Sequence, residues 1–187
     1  MSRAQQEHWD RRYAEGGMAP VGERGAPPLF APFEGFFPTS GSAFEVACGR
    51  GRGAVWLADR GMSVWGVDLS PVAIDLARRY ADACGVGDRC RFDVHDLDTG
   101  LPAGPPADLV VCYLFREADI DDAMVHRLRP GGLLAVACLS EVGAPPGRFR
   151  AGPGELVASF GHLDVLEANE ADGHAWLIAR TPSPSAS

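Results

Sequence analysis

The chain has 187 residues, 46% of them hydrophobic, and a formal net charge of −8. That length and apolar share suit one domain with a sizeable core and exclude a largely disordered chain. An acid excess without a Lys/Arg cluster argues against a nucleic-acid surface, and the lack of an apolar run of about 18 residues argues against a membrane span.

In chain order, residues 3–15 read as a helix with Trp9 and Tyr13 on one face. Residues 16–28, rich in Gly and Pro, read as a loop. Residues 28–37 carry Leu29, Phe30, Phe33, Phe36 and Phe37 at the spacing of a short apolar helix, and 39–42 is a turn. From there strands and helices alternate. A strand over 43–47 leads through Gly49 and Gly51 into a helix over 51–60, and a second strand covers 63–67. Ser70-Pro71 starts the next helix, with Ser as N-cap and Pro at the first helical position; it runs to about Cys84. A third strand covers 89–94, a fourth 107–112, a helix 118–128 and a fifth strand 133–139. Residues 141–154 form a second Gly/Pro-rich loop and 153–160 a short helix. Two strands, 163–168 and 174–180, meet at Asp172-Gly173, a strong hairpin signal. Residues 181–187 form a polar tail.

This alternation predicts a Rossmann-like α/β fold. Its seven-stranded sheet is mostly parallel, with an antiparallel C-terminal hairpin strand and helices on both faces. One domain is expected over 1–187, with an N-terminal helical segment 1–38, a core 43–180 and the tail.

The stretch Phe44-Glu-Val-Ala-Cys-Gly-Arg-Gly51, followed by Gly66-Val-Asp68, carries the functional signal. Glycines at 49 and 51 let the backbone turn sharply and approach a ligand. Asp68, at the second strand's end, is placed to accept from ribose hydroxyls. Glu45 would repel a pyrophosphate and favours a cationic nucleoside. The sequence Gly49-Arg-Gly51-Arg-Gly-Ala54 also satisfies the dinucleotide pattern G-x-G-x-x-A, so a nicotinamide-linked oxidoreductase stands as a rival reading.

These residues resemble the class I S-adenosylmethionine-dependent methyltransferases over roughly 43–180. The resemblance implies that Glu45, Ala47, Cys48, Gly49, Arg50 and Gly51 form the cofactor turn. It places Asp68 and Leu69 at the ribose and Asp96 and Leu97 at the adenine. Leu128-Arg-Pro-Gly-Gly-Leu133 matches the family's fifth-strand start. Several segments are similar to small bacterial tellurite-resistance and thiopurine-type methyltransferases: His8-Trp9-Asp10-Arg-Arg-Tyr13, Val111-Cys-Tyr-Leu-Phe-Arg116, and the exit loop with Arg148, Arg150 and Pro153-Gly-Glu-Leu156. That kinship implies that the N-terminal helix closes over the cofactor with Trp9 and Tyr13 near its methionine end.

Cys112 and Tyr113, at the fourth strand's end, are further cofactor candidates. Phe33, Arg116, Arg148 and Arg150 are candidates for the acceptor, the arginines through forked hydrogen bonds to an anion. Tyr113 and His95 are the candidates for a catalytic group. The five histidines lack a ligand spacing, so no metal is expected. Five scattered cysteines without C-x-x-C spacing, and no signal-like segment, fit a cytoplasmic protein with reduced thiols. The expected activity is methyl transfer from S-adenosylmethionine to a small-molecule thiol, phenol, hydroxyl or oxyanion, leaving S-adenosylhomocysteine. No nucleic-acid or membrane partner is expected, and monomer and dimer both stay open. A non-catalytic cofactor-binding sensor is the second alternative.

Overall fold

The structure, a computed structural model, describes residues 3–147 and 149–183. Arg148 and the last four residues of the expected tail lie outside that range. The backbone groups into two compact units, residues 1–102 and 103–187. The fold is Rossmann-like: parallel strands alternate with helices, and antiparallel pairing is confined to the C-terminal hairpin.

In the N-terminal unit, helix α1 (Arg3–Gly16) precedes strand β1 (Ser42–Val46), helix α2 (Arg52–Asp59), β2 (Ser63–Asp68), α3 (Pro71–Ala83) and β3 (Cys90–Val94). β1, β2 and β3 are parallel neighbours, with Ser42 opposite Ser63 and Val64 opposite Cys90. α3 begins as its sequence dictates. Ser70 Oγ accepts from the Ala73 amide at 3.1 Å, and Pro71 occupies the first turn. Its buried face, Ala73, Ile74, Ala77, Tyr80 and Ala81, follows the helical period. α2 buries Ala54, Val55, Leu57 and Ala58 and stops at Gly61, whose φ is 108°.

One expectation needs correction here. The aromatic run at 28–37 is a 3-10 helix over Ala31–Phe36 with Pro32 in its first turn. Its tight turn divides the aromatics: Phe30 and Phe37 enter the core, while Phe33 and Phe36 stack together nearer the surface. The loop before it is fastened. Arg24 donates to the Cys84 carbonyl, the Tyr80 hydroxyl donates to the Glu23 carbonyl, and Arg24 lies 3.6 Å from Asp59.

The C-terminal unit holds β4 (Ala107–Tyr113), α4 (Asp121–His126), β5 (Leu128–Ser140), β6 (Arg150–Ala151), α5 (Glu155–Phe160), β7 (Asp164–Ala171) and β8 (His174–Arg180). β4 and β5 are parallel, and β8 lies antiparallel between β5 and β7. The two-residue β6 pairs with the end of β5, a short addition to the seven expected strands among the described residues. β5 also starts earlier than expected. Leu128 pairs with Ala107, and the ladder then shifts past Pro130-Gly131-Gly132 to set Leu133 opposite Leu109. The helix expected over 118–128 is a 3-10 turn followed by the short α4. Asp172 and Gly173 have φ of 52° and 76°, the paired positive values of a two-residue hairpin turn.

Candidate functional site

The N-terminal unit builds a cradle where β1 and β2 end. The backbone turns left-handed at Ala47, Gly49 and Gly51, with φ of 52°, 53° and 76°. Gly51 needs its bareness twice, since a Cβ there would lie 2.9 Å from the Ala77 Cβ. Ala47 takes the same conformation with its Cβ in place, at a cost of roughly 1–2 kcal/mol.

The turn is tied to Asp68. The Gly49 amide donates to Oδ2 at 2.9 Å, and the Ser70 amide donates to Oδ1 at 2.9 Å. Asp68 is 6% exposed. Burial raises its pKa against the pull of the Ser70 and Gly49 amides, and the Asp10 carboxylate adds to the rise. The Leu69 amide is a further donor to this carboxylate, and the lone pairs that remain are the acceptors a vicinal diol requires.

Glu45 is more deeply enclosed, at 3% exposure. The Ala54 amide donates to its carboxylate, and a Cβ on Gly53 would fall 2.0 Å from Oε1. Gly53 is thus the bare surface against which the acid packs. Oε2 is buried without a hydrogen-bond partner among the described residues. Burial first, then the neighbouring Asp68 carboxylate, push the Glu45 pKa up to about 8 despite the Ala54 bond. Cys48 lies beside these acids. Burial and the two carboxylates raise its thiol pKa, so it is a lining atom rather than a nucleophile.

Helix α1 is seated on this turn. The Tyr13 hydroxyl would lie 3.1 Å from a Cβ on Gly49, and Trp9 stacks on Tyr13 at 5.8 Å. Arg50 donates to the Gly16 and Gly17 carbonyls at 2.8 and 2.7 Å. The Ser70 hydroxyl donates to Asp10. Burial, then Asp68, raise the Tyr13 pKa and keep it a phenol. Asp10, Ser70 and Gly53 were not among the candidates. The third glycine of Gly49-Arg-Gly51-Arg-Gly53 is the signal that could have found the last of them.

Asp96 caps the turn after β3, its Oδ1 accepting from the Asp98 amide at 3.0 Å, and Leu97 is buried. The His95 amide donates to the Asp68 carbonyl, which carries this turn to the end of β2 beside Leu69. The His95 ring is turned back on its own loop, with Nε2 2.8 Å from the Gly100 carbonyl. Nε2 is therefore the protonated nitrogen, and only Nδ1 retains a lone pair for a base.

In the C-terminal unit, Cys112 is buried with Sγ 3.4 Å from the Phe115 carbonyl, and Tyr113 ends β4 half-exposed. The two described arginine candidates have partners within the chain. Arg116 does not reach outward. It donates to both oxygens of Asp121 at 2.6 and 2.8 Å, to Glu155 at 2.6 Å and to Ser159 at 3.3 Å. Burial lowers its pKa, but the Asp121 and Glu155 carboxylates outweigh that and hold it above the ordinary value. Arg150 donates to the Ser140 and Gly173 carbonyls. Arg148, the third arginine, lies outside the described residues. Leu114 and Phe149 carry bulky side chains on left-handed backbone, with φ of 58° and 67°. Among the described residues no group of His, Cys, Asp and Glu is arranged to hold a metal, and no helix is long and apolar enough to cross a membrane.

Residues 43–132 match a family described as a methyltransferase domain. A 2-heptyl-1-hydroxyquinolin-4(1H)-one methyltransferase of Mycobacteroides abscessus is 29% identical over 114 residues, 57% of this chain and 49% of that protein. A tRNA 5-carboxymethoxyuridine methyltransferase of Escherichia coli is 35% identical over 99 residues, 49% of this chain and 38% of that protein. The chain thus matches about half or less of the length of these curated relatives. The crystal structure of TehB from Haemophilus influenzae shares the fold, with a TM-score of 0.71 at 18% identity over 95% of this chain and 67% of that one.

Proposed function

We propose that the chain is a class I S-adenosylmethionine-dependent methyltransferase, a reading supported by the methyltransferase-domain match over 43–132, and that it moves the sulfonium methyl group onto a small-molecule nucleophile. One observation carries the choice of ligand: a buried carboxylate with an unpartnered oxygen, Glu45, lies next to Asp68 at a glycine turn. A cation bound beside Asp68 favours the ionised form of Glu45, whereas a diphosphate gains nothing from either acid, which disfavours the nicotinamide reading.

The residues fit the group. Asp68, fixed by backbone amides, accepts from the ribose hydroxyls, and Leu69 follows it at the strand's end. Asp96 and the Leu97 amide serve the adenine. Glu45 faces the cationic end, and Trp9 and Tyr13 cover it with α1. When bound, S-adenosylmethionine supplies an electrophilic methyl group whose transfer breaks the C–S bond, returns the electron pair to sulfur and leaves S-adenosylhomocysteine. The chain's part is alignment and exclusion of water, which suffice for an in-line displacement. The acceptor proton leaves to solvent as its new bond to carbon forms. An acceptor hydroxyl is in keeping with the relative named for a hydroxyquinolone. A small acceptor suits the net charge of −8 better than RNA does. A cytoplasmic setting belongs to the same reading.

Calorimetry with S-adenosylhomocysteine and with NAD tests the ligand. Binding of the former alone is expected. Asp68→Ala should weaken it about 10–100-fold, the equivalent of losing charged hydrogen bonds of roughly 1.5–3 kcal/mol. Unchanged affinity in that variant would sink the assignment. Labelled-methyl transfer to a panel of thiols, phenols and oxyanions, with RNA as a further arm, separates an enzyme from a sensor that binds without turning over.

A further inference from the structure

Two acids share the cradle of the N-terminal unit, and the backbone treats them unequally. Asp68 accepts from the amides of Gly49, Ser70 and Leu69, which favour its charged form. Glu45 accepts from one amide, that of Ala54. Its Oε1 packs against the bare face of Gly53, and its Oε2 is buried without a hydrogen-bond partner among the described residues. A carboxyl group so short of donors is costly to ionise where it stands. A proton removes the charge, and burial together with the Asp68 carboxylate pushes the Glu45 pKa up to about 8.

The surroundings hold Glu45 in that neutral state. Asp68 faces it from β2, Cys48 from the turn and Cys90 from β3. α2 offers the bare Gly53 and the Ala54 amide. On α1, Asp10 and Tyr13 act on Asp68. The arginines beside the glycines are turned elsewhere: Arg50 donates to the Gly16 and Gly17 carbonyls, and Arg52 to Glu23. The charge set against Glu45 is thus negative, and a cation entering the cradle is what would favour its ionised form.

The methyl donor and its product differ in charge at this point. S-adenosylmethionine is a sulfonium and S-adenosylhomocysteine an uncharged thioether, while both keep the ammonium and carboxylate of the amino-acid end. We propose that Glu45 tells the two apart by exchanging a proton, releasing it to water when the sulfonium form is bound and regaining it once the methyl group has left. The balance closes. Breaking the C–S bond returns its electron pair to sulfur and removes a positive charge, the acceptor loses its proton to water, and Glu45 takes one from water. The cradle then carries the same net charge before and after transfer. Its preference for the donor over the spent nucleoside grows as pH rises toward about 8 and is constant above it. This rests on the methyltransferase reading and gives Glu45 a discriminating part in it.

Calorimetry of the full chain at about pH 7, in phosphate and in Tris, counts the protons set free on binding. S-adenosylmethionine should release about 0.5–1 proton more than S-adenosylhomocysteine, and the ratio of their affinities should rise about three- to tenfold per pH unit between about pH 6 and 8. In Glu45→Gln both differences should shrink to what the ligands' own amino groups contribute, since those titrate alike against either protein. A second readout does without the variant. The isotope-labelled carboxyl carbon of Glu45, assigned through its backbone, should move to its ionised resonance on addition of S-adenosylmethionine at about pH 7 and stay in place with S-adenosylhomocysteine. Equal proton release with the two nucleosides, a difference that survives Glu45→Gln, or a carboxyl resonance that answers both alike overturns the inference and leaves the methyltransferase reading standing. Binding of neither nucleoside overturns that reading, and the inference with it.

Discussion

Two buried charges in this chain are treated in opposite ways. Arg116, in the C-terminal unit, is enclosed by partners that occupy each of its nitrogens. Glu45, in the N-terminal unit, is enclosed just as deeply, but one of its oxygens finds no partner among the described residues. A buried ion satisfied from within is part of the scaffold, since its neighbours already supply what water did. A buried acid left short is a poor scaffold element, and protonation relieves it at the expense of its charge. The sequence offers Arg116 as a ligand for the acceptor and Glu45 as one of several turn residues. The structure makes the arginine a fastener of α4 and α5 and the glutamate the group with capacity to spare.

The sharpest test removes the fastener. Arg116→Met strands Asp121 and Glu155 without their cation and should cost about 3–5 kcal/mol in urea unfolding. Affinity for S-adenosylhomocysteine, measured on protein that still folds, should be nearly unchanged. A large loss of affinity with little loss of stability would invert the comparison. Next in size is Gly53→Ala, whose Cβ would fall 2.0 Å from Glu45 Oε1. Overpacking of that kind costs about 1–3 kcal/mol, and the displaced acid should weaken cofactor binding by about tenfold. Thermal melting beside calorimetry reads both.

Glu45→Gln gives the smallest effect at acid pH and the most informative one across pH. Between its ordinary value of 4.5 and about 8, the folded chain holds a Glu45 proton that the unfolded chain has released. Its contribution therefore makes stability fall as pH rises through that window and level off above it. Below about pH 4.5 the amide replaces an acid that is neutral in both states, so stability should change by less than about 1 kcal/mol, and the variant should gain on the parent as pH rises from there. At pH 8.5 the variant should be the more stable of the two. Parallel pH profiles for parent and variant would remove Glu45 from the account, while a flattened profile with weakened S-adenosylmethionine binding would secure it.

Much of the frame is legible in the sequence because its signals are local. Ser70-Pro71 caps α3 through the very next turn, and Asp172-Gly173 needs only its own two dihedrals. The cradle is legible for a related reason, since Glu45, the glycines and Asp68 lie along one strand–turn–helix–strand unit. The arginines are not. Arg116 reaches Glu155 across 39 residues, and nothing near either in sequence announces the pairing. β6 also escapes, because two residues in a Gly/Pro-rich loop carry no alternation to read. The Asp10–Ser70 bond spans 60 residues and is hidden in the same way.

The position of β8 bears on how the protein is made. β7 is synthesised first, yet β8 is the strand that joins it to β5. While a ribosome is still extending the chain toward His174, the flank of β5 that β8 will cover stays open, and β7 has nothing to zip onto. The final stage of assembly is therefore a two-strand insertion rather than stepwise growth, and a nascent chain halted at the Asp172 turn would present an uncovered apolar edge to chaperones.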